Sequence, residues 1–175
     1  MSALFSRRPE PEPATGTAAN GRPRDSVWDY PRPPRVEAVG RRVRVALGGE
    51  TILDVPDAIR VLETAGAPTI YVPLAAVREG TLRPAAGGSF CEWKGAATYW
   101  DVVAGGETAP RAAWSYPKPN EAFAELRGLV SFYPALVECR LDDELVEPQP
   151  GGFYGGWVTA EITGPIKGGA GSGGW

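Results

Sequence analysis

Glycine and proline limit what this chain can fold into. They supply 23 and 18 of its 175 residues, and inside a helix each Gly costs about 1 kcal/mol and each Pro about 3 kcal/mol relative to Ala. Long helices are therefore disfavoured, and short strands joined by many turns are expected. Six Trp, six Tyr and five Phe can supply the core, since a buried aromatic side chain removes roughly 150–250 Å² from water.

Turn-bounded apolar segments predict about eight to ten short strands. The clearest is residues 43–47 (VRVAL), in which apolar residues alternate with Arg and Ala. One or two short helices are predicted: the stronger candidate is residues 120–127 with Asn120 as the N-cap, and the other is a helical turn over residues 74–77 directly after Pro73. The expected fold is all-β, as a two-sheet sandwich or a partly open barrel.

Composition divides the chain into three parts. Residues 1–25 are rich in Pro, Ala, Arg and Glu, and we expect a disordered N-terminal arm there. Residues 26–163 are predicted to form a single β-rich domain. Residues 164–175 (GPIKGGAGSGGW) are predicted to be a flexible Gly-rich tail. Few tertiary contacts are expected of either end.

The chain contains no histidine. This absence removes the commonest general base, the Ser-His-Asp and Cys-His mechanisms, and the commonest metal ligand. The two cysteines, Cys91 and Cys139, are too few for a four-cysteine zinc site. We therefore expect a metal-free domain without a cofactor. The thiols are expected to be free, because no export signal is recognised.

Charge and hydropathy restrict the partners that this chain can have. A net charge of -3 and an isoelectric point near 5.1 give no general attraction to nucleic acid or to anionic membranes. No segment approaches the roughly 20 apolar residues of a membrane-spanning helix. The sequence predicts a cytoplasmic protein whose partner is a small molecule rather than nucleic acid or membrane, and it leaves a homo-oligomer open.

A series of aromatic motifs carries a family resemblance. The motifs are VLETAGAPTIYVP (61–73), SFCEWKGAATYWDV (89–102), AWSYPKP (113–119), VSFYP (130–134) and GFYGGW (152–157). Over about residues 35–160 the chain resembles the family catalogued as domain of unknown function 427. It departs from the family pattern at Glu92, where proline is expected, and at Ala75-Ala76, where an acidic residue is common.

The resemblance implies a compact fold similar to the β-tent group, in which two sheets lie roughly at right angles. Many β-tent proteins hold a structural zinc with two cysteine pairs, and this chain lacks those ligands. The family is sometimes labelled nucleotidyltransferase-like. The sequence gives that activity little support, because it has no Gly-Ser followed by an Asp-x-Asp pair and no GxxxxGK[ST] loop.

Aromatic side chains between residues 93 and 116 form the candidate site. Strand alternation places Trp100 opposite Tyr99 and Asp101, and it places Trp114 and Tyr116 on one shared face. A wall of such rings suits a planar ring or a cation. The same rings could instead form the hydrophobic core, and the sequence leaves both interpretations open. The predicted binding residues are Trp93, Lys94, Tyr99, Trp100, Asp101, Trp114 and Tyr116.

Three polar side chains accompany these rings. Lys94 could bind a phosphate or carboxylate, or act as a nucleophile if its pKa fell, and its alternative is an exposed strand lysine. Asp101 is either a surface ion-pair partner of Lys94 or an acid/base group. Cys91 is interpreted as a small buried apolar residue in preference to a nucleophile. These expectations take residues 91–94 as extended and Gly87-Gly88 as a break before them.

Three functions are compatible with these residues and motifs. The preferred one is a domain that binds a planar or charged small molecule in an aromatic cleft. The second is an enzyme that acts on a nucleotide or related molecule through Lys94 or Asp101, and the sequence does not decide whether catalysis occurs. The third is a protein-interaction module that uses Trp28, Tyr30 and the Pro-rich arm. Polar groups converging on a cleft favour the first two, whereas a flat exposed apolar patch favours the third.

Overall fold

A computed structural model describes residues 8–175. These residues form strands and three short 3-10 helices, Val27–Asp29, Leu74–Ala76 and Glu121–Leu126, so the all-β prediction is confirmed. The strands are β1 (Asp25–Ser26), β2 (Arg35–Ala38), β3 (Val43–Leu47), β4 (Glu50–Val55), β5 (Ile59–Leu62), β6 (Thr69–Pro73), β7 (Leu82–Cys91), β8 (Gly95–Ala104), β9 (Glu107–Ser115), β10 (Leu129–Phe132), β11 (Glu138–Leu141), β12 (Glu144–Leu145), β13 (Glu147–Pro148), β14 (Trp157–Val158) and β15 (Ile162–Thr163).

Two antiparallel sheets form the body of the domain. The larger sheet has seven strands in the order β2-β5-β6-β10-β9-β8-β7, and the smaller has four in the order β12-β11-β3-β4. Two separate two-stranded pairs, β1-β15 and β13-β14, complete the structure. Within residues 8–175 neither main sheet closes on itself, so the two-sheet arrangement is the one observed.

The main hydrophobic core lies between the two sheets. The alternation predicted for residues 43–47 is confirmed, because Val43, Val45 and Leu47 are buried in this core. From the seven-stranded sheet, Ile70 and Val130 pack against the same cluster. Burying a side chain of this size contributes roughly 1.5–3 kcal/mol, so this layer holds the two sheets together.

The outer face of the seven-stranded sheet carries a second, aromatic cluster. Successive side chains of a strand point to opposite faces, so Tyr71 points away from the core that Ile70 and Val72 enter. The 3-10 helix Glu121–Leu126 packs on this outer face through two buried side chains. The buried members of the cluster are Val61, Tyr71, Ala97, Trp114, Tyr116, Phe123 and Leu126.

The β7–β8 hairpin differs from its prediction. Strand β7 continues through Gly87-Gly88, where the register shifts in a bulge, instead of ending there. Cys91 pairs with Gly95, so residues 92–94 form a three-residue turn and are not extended. Gly95 has a φ of +106°, a conformation that glycine adopts without steric cost and that lets the chain reverse here.

Asn120 precedes a helix as predicted but does not cap it. Its side chain makes no capping hydrogen bond, and its amide nitrogen Nδ2 instead donates to the Trp93 carbonyl at 2.9 Å and to the Glu92 carbonyl at 3.3 Å. These two hydrogen bonds hold the turn at residues 92–94 against the start of the helix. The predicted helix after Pro73 is present as Leu74–Ala76.

Both ends of the described chain contact the domain. The Glu12 backbone N–H donates to the Gly164 carbonyl at 2.7 Å, and the Asn20 amide donates to the Glu161 carboxylate at 2.7 Å. The rings of Trp28 and Trp175 lie 5.8 Å apart between centroids. The sequence predicts none of these contacts. Residues 1–7 of the predicted arm lie outside the described residues, and the boundaries at 25/26 and 163/164 stay predictions.

Candidate functional site

A cavity of about 270 Å³ lies on the outer face of the seven-stranded sheet. Three buried aromatic side chains, Tyr71, Trp114 and Tyr116, line it. Tyr71 belongs to β6 and Trp114 to β9, and both strands pair with β10. Trp114 and Tyr116 share a face as predicted, and sheet pairing brings the distant Tyr71 beside them. These three residues are called the aromatic floor below.

The aromatic floor is held rigid by direct contacts. The indole Nε1 of Trp114 donates a hydrogen bond to the Tyr71 hydroxyl at 3.2 Å, and their rings meet edge to face at 6.2 Å. Tyr133 adds a fourth ring, 4.5 Å from Trp114 between centroids. Burial raises the pKa of Tyr71 and of Tyr116 above the ordinary phenol value. The floor is therefore neutral at physiological pH.

Lys94 supplies positive charge beside the floor. Its ammonium nitrogen lies 5.9 Å from the centroid of the Tyr116 ring and 3.9 Å from the Cys91 sulfur. Among the described residues, no carboxylate forms an ion pair with Lys94. Lys167, the other cavity lysine, is already paired with Glu63 at 3.5 Å. Lys94 is therefore the cation of this cavity that is free to meet an anion.

Exposed apolar side chains are concentrated at the rim of the cavity. Within residues 8–175, five large hydrophobic side chains are exposed, and three of them, Phe90, Phe153 and Tyr154, line this cavity. Phe90 is 76% exposed and Phe153 is 70% exposed. A fourth, Leu136, lines an adjoining cavity. Contiguous apolar surface in water is typical of a binding site.

The C-terminal part of the chain supplies one wall of the cavity. The side-chain carbonyl of Gln149 accepts from the Ala67 backbone N–H at 3.1 Å, and its amide donates to the Lys167 carbonyl at 2.9 Å. The Lys167 ammonium in turn lies 4.8 Å from the centroid of the Tyr154 ring. These contacts tie residues 149–155 and 167 to the turn between β5 and β6.

Five of the seven sequence-predicted binding residues line the cavity. They are Trp93, Lys94, Tyr99, Trp114 and Tyr116. Trp93 and Lys94 reach it from the turn at 92–94 and not from a strand face. Trp93 and Tyr99 are half-buried, whereas Trp114 is 6% exposed. Some of these rings therefore belong to the packed cluster and others face the open cavity.

Trp100 and Asp101 do not line this cavity. Trp100 points to the opposite face of the sheet, packs against the main core and donates from Nε1 to the Ser115 hydroxyl at 3.0 Å. The Asp101 carboxylate accepts the backbone N–H of Arg111 at 2.8 Å. The predicted pairing of Lys94 with Asp101 does not form, because Asp101 is used to hold the neighbouring strand.

Several residues that line the cavity were not predicted from the sequence. Tyr71, Tyr133 and Tyr154 lie in the aromatic motifs that carried the family resemblance, so a tyrosine in each motif was the available signal. Lys167 and Gln149 had no such signal, since each lies outside those motifs. Only strand pairing across the whole chain brings them together.

Two further structural findings bear on function. In the part of the chain that the structure describes, no helix is long and apolar enough to cross a membrane. Residues 8–175 contain no group of three or more histidine, cysteine, aspartate or glutamate side chains placed to hold a metal ion. Both cysteines are free thiols, Cys91 half-buried at the cavity and Cys139 buried in the main core.

Comparison with known proteins identifies a family. A family model described as a domain of unknown function, DUF427, matches residues 35–146. A search of curated proteins finds no match. The family match covers more than half of the chain, spans β2 to β12 and includes the aromatic floor and Lys94. The predicted resemblance is confirmed, and the chain belongs to the DUF427 family.

Proposed function

We propose that this domain binds a small planar molecule carrying a negative charge. The ring of the ligand packs against the aromatic floor, and its charge lies at Lys94. The observation that carries the proposal is an ammonium group without a carboxylate partner in the described structure, placed beside Tyr116 in an aromatic cavity. Ligand pockets commonly combine apolar walls with a small number of such polar groups.

The size and walls of the cavity favour a planar ligand. Its volume of about 270 Å³ lies near the lower end of the roughly 300–1,000 Å³ typical of small-molecule sites, which suits one or two fused rings. Aromatic pairs gain about 0.5–1.5 kcal/mol beyond the area that they bury. A flat ring can collect this gain from Trp93, Trp114 and Tyr133, which line the cavity together.

The charges around the cavity favour an anion. Two unit charges 4 Å apart attract with about 4 kcal/mol at an effective dielectric constant of 20, and Lys94 has no internal carboxylate to compete for that attraction within the described residues. A cationic ligand would have to lie beside Lys94 and would be repelled. Two carboxylates also line the cavity. Glu63 is already paired with Lys167, and Glu92 is exposed to solvent on the turn before Lys94.

The other two functions receive less support. Of the two groups predicted for an enzyme, Lys94 or Asp101, only Lys94 lines the cavity, because the Asp101 carboxylate lies outside it and accepts the Arg111 N–H. An interaction module that uses Trp28 and Tyr30 lacks its contact residues, because both rings are buried, at 7% and 4% exposure. The proposed ligand binding requires Lys94 but does not require Asp101, Trp28 or Tyr30.

Calorimetric titration with planar carboxylates tests the proposal. The probes are benzoate, indole-3-carboxylate and 6-methoxy-2-naphthoate, each compared with its neutral alcohol. We expect at least one carboxylate to bind, and Lys94→Gln to weaken it about tenfold, since a hydrogen bond to a charged group contributes about 1.5–3 kcal/mol. Binding of the neutral alcohol should change little in Lys94→Gln.

Lys118→Gln is the matched control. Lys118 lies two residues after Tyr116, is exposed and lines none of the described cavities. It removes the same charge and should leave the affinity within a factor of two. The proposal is wrong if no carboxylate binds at millimolar concentration, or if the two lysine variants weaken binding equally.

A further inference from the structure

A second cavity of about 380 Å³ adjoins the first. The two share Ser89, Tyr99, Tyr133 and Phe153 as walls. The Tyr99 hydroxyl donates a hydrogen bond to the Ser89 hydroxyl at 2.9 Å, which holds the two side chains together beside both cavities. A ligand that fills the first cavity can therefore extend past Tyr99 into the second, where Arg111 lies.

A bulge in β9 presents Arg111 to the second cavity. The β8–β9 register shifts between Trp100 and Val102. Asp101 of β8 therefore faces three residues of β9, residues 110–112. Bulges of this kind re-aim side chains and are frequent beside functional sites.

A second bulge, in β7, lies on the other side of β8. The β7–β8 register shifts between Pro84 and Gly88, so residues 85–87 face Tyr99. Gly87 has a φ of +87°, and a Cβ placed there would lie 3.4 Å from the Arg111 nitrogen Nη1. Glycine at this position leaves the guanidinium room. Two bulges thus flank the same short stretch of β8 and converge on Arg111.

Arg111 itself is held in a strained conformation. Its φ is +50°, in the left-handed region that costs a non-glycine residue roughly 1–2 kcal/mol. The Asp101 carboxylate maintains it by accepting the Arg111 N–H at 2.8 Å. The guanidinium carbon lies 4.3 Å from the centroid of the Tyr99 ring. Strain that the surroundings maintain in this way is frequent at binding and catalytic sites.

The Arg111 guanidinium is free to bind. In the described structure its side chain forms no ion pair and no hydrogen bond, and the stacking on Tyr99 leaves its edge available. Guanidinium edges bind carboxylate and phosphate oxygens in a paired geometry. The residue combines an unpaired charge, an aromatic support and a cavity beside it.

We infer that Arg111 binds a second anionic group of the same ligand. This inference rests on the proposed function and narrows it to a class of molecule. That class is a planar core with one acidic group at Lys94 and a tail, ending in a carboxylate or phosphate-like group, that passes Tyr99 to reach Arg111.

A series of tailed naphthoates tests the inference. The probes are 6-hydroxy-2-naphthoates alkylated on oxygen with tails of one, three or five methylenes that end in carboxylate or phosphonate. The reference is 6-methoxy-2-naphthoate, which lacks the second charge. We expect one tail length to bind about tenfold more tightly than the reference, and Arg111→Gln to remove that gain while leaving the reference affinity within a factor of two.

Arg24→Gln is the matched control, since Arg24 is exposed and lines none of the described cavities. It removes an equal charge and should leave the gain intact. Arg111→Gly provides a second variant, because glycine accepts the φ of +50°. It should abolish the gain without lowering the melting temperature, so lost binding cannot be attributed to unfolding.

The outcomes separate the two proposals. If the reference compound binds but no tail improves it, or if the gain survives in Arg111→Gln, the Arg111 inference is wrong and the proposed function stands. If the reference does not bind and a tailed compound binds only with Arg111 present, the ring site is wrong and the Arg111 site stands. If no compound binds, both are wrong.

Discussion

Gly155 lies directly against the Trp114 ring. A Cβ at residue 155 would overlap the ring atoms Cη2 and Cζ3, so no side chain can be placed there unless the indole or the backbone moves. The Trp114 indole is buried and hydrogen-bonded to Tyr71, which leaves it little freedom to shift. The contact therefore joins the C-terminal wall of the cavity to its aromatic floor.

Gly155→Ala should destabilise the protein and disturb the cavity. Overpacking of a well-packed site costs about 1–3 kcal/mol, and displacement of the Trp114 ring should also weaken binding of the naphthoate probes. Chemical denaturation measures the loss of stability. Gly152→Ala is the control, because a Cβ there meets nothing within 4 Å and should change stability by less than about 0.5 kcal/mol. Equal effects of the two substitutions would contradict the packing described here.

A buried arginine, Arg41, lies among three carboxylates away from the two cavities. Arg41 lies 3.1 Å from Asp142, 3.0 Å from Glu144 and 3.6 Å from Glu161. Burial alone would raise the pKa of Glu144. Hydrogen bonds from Asn20, the Ala160 N–H and Arg41 outweigh it and hold that pKa below its ordinary value of 4.5.

This arrangement predicts a loss of stability in acid. A carboxyl whose pKa is lower in the folded state stabilises the fold above its unfolded pKa, and that contribution is lost as the pH falls through the folded value. The free energy of unfolding should therefore decrease below about pH 4.5. In Glu144→Gln we expect a smaller decrease, and a stability at pH 7 lower by about 1–3 kcal/mol, since Arg41 loses a partner.

Denaturant titrations between pH 3 and pH 7 measure this dependence. Glu125→Gln is the control, because Glu125 is exposed and forms no ion pair among the described residues. It should retain the wild-type dependence on pH. Parallel curves for wild type and Glu144→Gln would show that Glu144 does not contribute.

Trp175 provides a test of the domain boundaries. Its ring packs 5.8 Å from that of Trp28, and its backbone carbonyl accepts from the Arg32 guanidinium at 3.1 Å. Loss of an aromatic contact of this kind costs about 0.5–1.5 kcal/mol beyond the buried area. We expect Trp175→Ala to lower the melting temperature by about 2–4 °C per kcal/mol lost. An unchanged melting temperature would instead support a flexible tail from residue 164.

The sequence predicted strands well where local pattern determines them. Alternation at 43–47 and the glycine turns around β8 and β9 gave the correct elements. The prediction that residues 91–94 are extended was wrong, because a short stretch of sequence cannot show that Cys91 pairs with Gly95. The prediction that the Asn120 side chain caps the helix was wrong for a related reason. The carbonyls that accept its hydrogen bonds belong to a turn more than 25 residues earlier.

The candidate site shows the same division. Seven binding residues were predicted and five of them line the cavity, because these five lie in one aromatic stretch of the chain. Tyr71 and Gly155 reach the site through strand pairing and packing over long sequence separations. The position of Arg111 beside the second cavity depends on the register shift between β8 and β9, and the alternation of residues along one strand does not reveal such a shift. Trp100 was included although its alternation already placed it opposite Tyr99.

Nuclear magnetic resonance of the tryptophan indoles tests the central claim most directly. The indole N–H signals are recorded while 6-methoxy-2-naphthoate, or the carboxylate that binds best, is added. Because only Trp93 and Trp114 line the cavity among the six tryptophans, we expect their two signals to move with a common dissociation constant. The signals of Trp28, Trp100 and Trp157, whose indoles donate elsewhere to Pro165, Ser115 and Phe132, should stay fixed. Binding that leaves the Trp93 and Trp114 signals unmoved would contradict the account.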